Sequence, residues 1–378
     1  MPGRSYGAAV SRLLQPLTLR GTTFGHRVWV SPMCQYSCDP VAAPGVPGDW
    51  HLVHYGSLAV GGAALVLTEA AAVVPEGRIS PHDAGLWDEE QERAWARIVA
   101  FVHSQGAAAG VQLAHAGRKA STHRPWAPVQ GSVPPGEGGW PTVAPSTIAH
   151  GDLAVPTALD VDGIARVVAA FAGAARRAER AGFDVVELHA AHGYLLHQFL
   201  SPLSNRRADG YGGDLAGRAR LLLEVLDAVR AVWPAEKPVF VRVSTSDWAP
   251  GGWDVDECVQ LARWLDEHGA DLVDASSGGN VPEQSIPVGP GYQVPNAGRL
   301  KREAGVPVGA VGLILDPLQA EQVLVGGDAD AVLLARPLLA DPRWPQRAAL
   351  ALHDTRAVPW PAQYVRATRE DVPLSAPR

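Results

Sequence analysis

The stretch DVVELHAAHGYLLHQFLSPLSNRRADGYGG, residues 184–213, opens on an apolar run and then changes character. Asp184-Val185-Val186-Glu187-Leu188 reads as a strand buried on both faces, the pattern of a parallel sheet enclosed by helices. His189, His192 and Tyr194 follow where that strand gives way to a loop. Along a continuing strand, residues i and i+3 face opposite sides, so the two histidines share a site only if the chain turns between them. Two imidazoles and a phenol suit binding a carbonyl oxygen or oxyanion and delivering a proton. The bland alternative is a strand exit whose histidines satisfy local backbone groups; three such residues within six positions weigh against it. A nucleophile triad is disfavoured, because no serine or cysteine with an obvious acidic orienter lies nearby.

Seven further apolar runs have the same form: 28–31, 63–68, 107–113, 238–243, 271–275, 306–310 and 330–334. Most lead through a polar or Gly-rich exit into a helical segment. Pro317–Val325, for example, reads as a helix stopped by Gly326-Gly327. Eight strand–helix units predict an α/β fold with a parallel sheet, but their count does not separate a closed barrel from an open doubly wound sheet. Residues 114–156, rich in Pro, Gly, Ser and Trp, are too long for an ordinary connection and are expected to cap an active site. Leu17–Leu19 and Thr22–Phe24 flank Arg20-Gly21 and read as a small hairpin closing the bottom of the fold. Residues 1–378 form one expected domain, with 357–378 as a C-terminal tail.

Composition narrows the function. The chain has 378 residues, 47% of them hydrophobic, and a net charge of −7. It shows no basic stripe, which argues against a nucleic-acid partner. Its three lysines, Lys119, Lys237 and Lys301, avoid the apolar strands. Schiff-base chemistry wants a desolvated amine, so a Schiff-base aldolase is disfavoured. Cys34, Cys38 and Cys258 are too few for a disulfide framework and fit a reducing compartment. Met1–Val10 lacks the apolar core of a signal peptide, and no apolar stretch is long enough to span a membrane. A cytoplasmic protein with no membrane partner is expected.

Ordered segments along nearly the whole chain resemble the Old Yellow Enzyme family of flavin-dependent ene-reductases. The similarity is to the bacterial thermophilic-like branch that includes the xenobiotic reductases. Beside residues 189–213, the matching segments include SPMCQYS (31–37), HYGSLAVGGAALVLTEAAAVVPEGRIS (54–80), VQLAHAGRKA (111–120), VRVS (241–244), DASSGG (274–279), PVGAVGLI (307–314) and LLARPLLADP (333–342). The resemblance implies a (β/α)8 TIM barrel and FMN held tightly but non-covalently. Pro32, Met33 and Cys34 would line the isoalloxazine, Ala70 would leave room for it, and Gln112 would bond its pyrimidine edge. Arg242 would face the N1 and O2 region, its plain alternative being a buried ion pair. Phosphate contacts are expected from Gly312, Ala335 and Arg336, assisted by Ser277 and Gly278. Ala335 departs from the family's usual Gly-Arg pattern, which puts that one contact in question.

By the same resemblance, Cys34 tunes the flavin, Tyr36 shapes the substrate pocket, and Arg366 reaches a neighbouring subunit in a homodimer or homotetramer. NAD(P)H would reduce FMN and leave. An activated alkene (an α,β-unsaturated carbonyl, a maleimide or a nitroalkene) would then be anchored by His189 and His192 and protonated by Tyr194. Nitro compounds or nitrate esters are alternative substrates. A metal-dependent TIM-barrel hydrolase using the histidines with Asp184 or Glu187 is the competing class. It is disfavoured because Asp184 lies at the wrong end of its strand and no H-x-H occurs on the first strand.

Overall fold

A computed structural model describes residues 11–367. Strands β1 (Leu17–Leu19) and β2 (Thr22–Phe24) form the expected antiparallel hairpin. Next come β3 (Val28–Val30), β4 (Leu65–Ala72), β5 (Ala108–Ala114), the two-residue pair β6 (Val143–Ala144) and β7 (Thr157–Ala158), and β8 (Val185–Ala190). The series ends with β9 (Val239–Ser244), β10 (Leu272–Ser276), β11 (Val308–Ala310) and β12 (Ala331–Leu334). Eight of these close in the order β10-β11-β12-β3-β4-β5-β8-β9. All eight seams are parallel, which requires the crossover helices between them. The fold is a (β/α)8 barrel, and the open sheet is excluded by closure of β12 onto β3.

Alternation along the strands builds the site. Val185, Phe240 and Leu272 join Leu19, Phe24, Trp29 and Leu333 in an apolar plug inside the barrel. Trp29 stacks on Phe240 with ring centroids 5.6 Å apart, and Phe24 lies 4.7 Å from Trp29. Two residues further along a strand, the same inward face recurs. Val185 thus leads to Glu187 and His189, Phe240 to Arg242, and Leu272 to Asp274. The barrel interior changes from apolar at the strand entries to polar at the exits, where barrels place their chemistry. The other face of each strand packs on the helices, with Val186, Val241, Val273 and Val332 fully buried there or nearly so. Several helices start on aspartate caps. Asp88, for instance, accepts from the amides of Glu90 and Gln91 at 3.0 and 3.1 Å, a contact typically worth about 1 kcal/mol.

Two boundaries differ from the sequence reading. A register irregularity between Leu67 and Ala70 carries β4 on to Ala72, so Ala70 lies within the strand rather than after it. The polar pair Thr68-Glu69 resembles a strand end, but the bulge absorbs it without ending the pairing. Likewise β8 continues to Ala190, placing His189 on the strand and not in the loop. The helix Pro317–Val325 forms at its expected bounds, with Gly326 as its C-cap. Among the described residues, no helix is long and apolar enough to cross a membrane.

Candidate active site

The chain turns sharply between the two histidines. His192 (φ 58°) and Gly193 (φ 71°) are both left-handed, a conformation costly for a histidine. A Cβ on Gly193 would run into the Gly279 carbonyl of the loop after β10. Gly193→Ala is therefore expected to destabilise the fold by about 1–3 kcal/mol, read as a lower denaturant midpoint. An unchanged midpoint would mean that the turn yields freely.

This turn gathers three rings. His189 lies 5.1 Å from His192 and 4.9 Å from Tyr194, centroid to centroid, both edge-on. His189 Nδ1 accepts the Ala191 amide at 3.3 Å, so its proton sits on Nε2. His192 Nε2 pairs with the Ser276 hydroxyl at 2.6 Å, and its backbone amide donates to Ser244 Oγ at 2.9 Å. With Ser276 as donor, His192 presents Nδ1–H. Burial, and then the charge of Arg242, holds both imidazoles well below the usual histidine range. They are neutral hydrogen-bond donors rather than acids. Burial likewise raises the Tyr194 phenol, which keeps its proton. Behind the turn, the Gly193 amide donates to His197 Nδ1 at 2.9 Å, and His197 Nε2 lies 3.1 Å from Asp247.

Along the floor, Ala70, Gln112 and Glu187 share one level of the barrel. Gln112 Nε2 donates to Glu187 at 2.8 Å, leaving its amide oxygen as an acceptor. Arg242 makes the buried ion pair that is its plain alternative. Its Nε lies 3.1 Å from Asp274, while its terminal nitrogens make no hydrogen bond to protein among the described residues. It lines a cavity of about 160 Å³ with Ser276, Gly312, Ala335 and Arg336. The amides of Gly312 and Ala335 are likewise uncommitted within the described residues. A cation and backbone amides converging on an open space fit an anionic cofactor at the last two strands. Ala335, in place of glycine, has φ −105° and so does not need the left-handed backbone that favours glycine.

Ser277 and Gly278 do not fit the assisting role expected of them. The Ser277 hydroxyl donates to Gln293 at 2.6 Å and the Gly278 amide to the Ser246 carbonyl at 2.8 Å. Neither lines the cavity; the adjacent Ser276 does.

Pro32, Met33, Cys34 and Tyr36 leave β3 over this floor, all half-buried. Glu69 fixes the segment by accepting the Gln35 amide and the Tyr55 hydroxyl, each at 2.9 Å. Burial, then the charges of Asp83 and Glu69, raises the Cys34 thiol, so it is no thiolate nucleophile. Tyr36 meets Trp126 of the long segment after β5 edge-on at 5.6 Å.

Arg366 is not brought to the other site residues of its own chain. It is exposed on a 3-10 turn, Ala362–Ala367, beyond a segment that packs against Gly25, His26 and Gly62 at the strand entries. Asp184 is also remote: at its strand's entry it accepts the Ala109 amide and pairs with His103, both at 2.8 Å. Sequence reasoning missed Ser244, Ser276, His197, Asp247 and Lys119. Lys119 stands inside the segment VQLAHAGRKA, but it lies off the strands and no local pattern marks it as a site residue.

The family model for the NADH:flavin oxidoreductase / NADH oxidase family matches residues 12–355. The NADPH dehydrogenase of Geobacillus thermodenitrificans is 47% identical over 358 residues, covering 94% of this chain and 98% of that protein. The NADPH dehydrogenase of Halalkalibacterium halodurans is 42% identical, with 94% and 98% covered. Among solved structures, morphinone reductase is similar at 30% identity with a TM-score of 0.75, covering 92% of this chain and 91% of that one.

Proposed function

Because the chain belongs to the NADH:flavin oxidoreductase / NADH oxidase family, the Old Yellow Enzyme family of FMN-dependent NAD(P)H oxidoreductases, we propose that it reduces activated C=C bonds. The substrates are α,β-unsaturated ketones, maleimides and nitroalkenes, taken in turn with NADPH at one position. The observation that carries the reading is a pair of neutral imidazoles, one with its proton on Nε2, beside a protonated phenol.

Arg242, the Gln112 amide oxygen and the amides of Gly312 and Ala335 would hold FMN. Bound there, FMN supplies a hydride carrier between nicotinamide and alkene. His189 Nε2–H and His192 Nδ1–H bind the substrate's carbonyl or nitro oxygen. They draw electron density from the alkene and stabilise the enolate as charge develops. Neutral imidazoles suit this task, because they need not release a proton to it. Tyr194 gives its proton to the α-carbon. Tyr36 and Trp126 wall the pocket and limit water. The proposal extends to a cytoplasmic homodimer or homotetramer in which the exposed Arg366 meets a neighbour's site.

Two measurements test the reading. Anaerobic enzyme reduced with NADPH should be reoxidised by 2-cyclohexenone with formation of cyclohexanone; no reoxidation by any of the three alkene classes overturns it. Arg242→Lys keeps a charge near Asp274 but loses the planar fork. It is expected to weaken FMN binding to apo-protein on the order of tenfold or more, read by flavin fluorescence titration. Unchanged affinity would leave Arg242 with its ion-pair role alone.

A further inference from the structure

Lys119 ends a 3-10 turn, Gly117–Lys119, just past β5. Its Nζ donates to the His192 carbonyl at 2.8 Å and to the Gly279 carbonyl at 2.9 Å. The same ammonium lies 5.1 Å from the centroid of the Tyr194 ring. One side chain thus joins the exits of β5, β8 and β10, and it grips the left-handed residue that brings His192 back beside His189.

Two carbonyls and an aromatic face converging on one nitrogen make a cation's environment. The groups facing Lys119 are Arg118 from its own turn, His189, His192 and Tyr194 from the β8 exit, the Gly279 carbonyl, and His150 of the insertion. Among the described residues it forms no ion pair with a carboxylate. Its charge is therefore felt by the imidazoles, and Lys119 is one of the cations that disfavour their protonation.

We propose that Lys119 is a positioning residue for the oxygen anchor: its ammonium ties the His192 turn to the loop after β10. The inference rests on the reading of His189 and His192 as that anchor. Lys119 touches no reacting atom. It acts through the His192 carbonyl and through its field.

Burial, reinforced by Arg118, pulls the ammonium down to about 8. The sign follows directly. Below about pH 8 the clamp is an ammonium with two charge-assisted hydrogen bonds; above it the amine is neutral and holds the two carbonyls only with ordinary, weaker ones. Arginine stays charged throughout this range.

The test uses flavin-loaded wild type, Lys119→Arg and Lys119→Met, with anaerobic reoxidation by 2-cyclohexenone from about pH 6 to about pH 10. Imidazole protonation is followed in parallel by NMR of histidine-labelled enzyme. Wild type is expected to lose reoxidation rate as the pH rises through about 8, and Lys119→Arg to stay level there. Lys119→Met should be slower than wild type on the order of 10²-fold below about pH 8, the usual effect of a small misplacement, with the gap narrowing as wild type loses its clamp above that pH. Its His192 imidazole should protonate at a higher pH than in wild type. Wild-type rates, pH profile and His192 titration in Lys119→Met would overturn the proposal. So would the same alkaline fall in Lys119→Arg, since the limb would then belong to another group. If Lys119→Met does not retain flavin, the comparison of wild type with Lys119→Arg decides. If none of the three alkene classes reoxidises wild type, the functional reading fails, and the NMR titration still judges Lys119.

Discussion

The double substitution His189→Ala with His192→Ala should nearly abolish alkene reduction while leaving a flavin that NADPH can still reduce. Each imidazole is a preorganised neutral donor. Ala191 fixes the tautomer of His189, and Ser276 orients His192. Removing one donor from an oxyanion site typically costs about 2.7–4 kcal/mol, roughly 10²–10³-fold. Donors that grip one oxygen act together, so the double loss should exceed either single loss yet fall short of their product. Anaerobic stopped-flow separates the steps: flavin reduction by NADPH, then reoxidation by cyclohexenone. A double mutant reoxidised within a few-fold of the wild-type rate would remove the anchor role. The pH dependence offers a second check. Because both imidazoles are held well below the ordinary histidine range, wild-type reoxidation should stay level as the pH falls through about 6.5. A limb at that pH would mean that the histidines are not neutral as described.

Tyr194→Phe is expected to slow reoxidation by cyclic enones by about 10²–10⁴-fold, the usual worth of a positioned general acid. Burial keeps the phenol protonated, and its ring stands 4.9 Å from His189, beside the anchored oxygen. Phenylalanine preserves that ring contact and removes only the hydroxyl with its proton, so the anchor should survive. Nitroalkenes provide the contrast. Their reduced product is a stabilised nitronate that can leave the site and take its proton from water, so their reoxidation rate should change far less. An unchanged cyclohexenone rate would assign the proton to another donor.

The strand–helix repeat was legible from the sequence because its signals are local. Eight buried strands declare themselves as short apolar runs, and the helix Pro317–Val325 by its proline start and glycine stop. The hairpin was readable for the same reason, whereas Arg242 and Gly312 were named from the family resemblance. Closure was not legible: it depends on β12 pairing with β3, from opposite ends of the chain, and no local pattern records that.

The site divides in the same way. Residue types near 189–194 spoke for an oxygen anchor with a proton donor. The position of Ala70 within β4 needed the bulge to be seen, and the unsuitability of Ser277 and Gly278 needed their partners, Gln293 and Ser246. Ser276, 84 residues from His192, and Lys119, 73 residues away, meet it only because adjacent and facing strands of a closed barrel end at the same rim. Alternation, apolar runs and caps belong to neighbouring residues and can be read along the chain. Which hydroxyl orients an imidazole, and which ammonium grips the turn beside it, belongs to residues that only the closed barrel brings within hydrogen-bond reach.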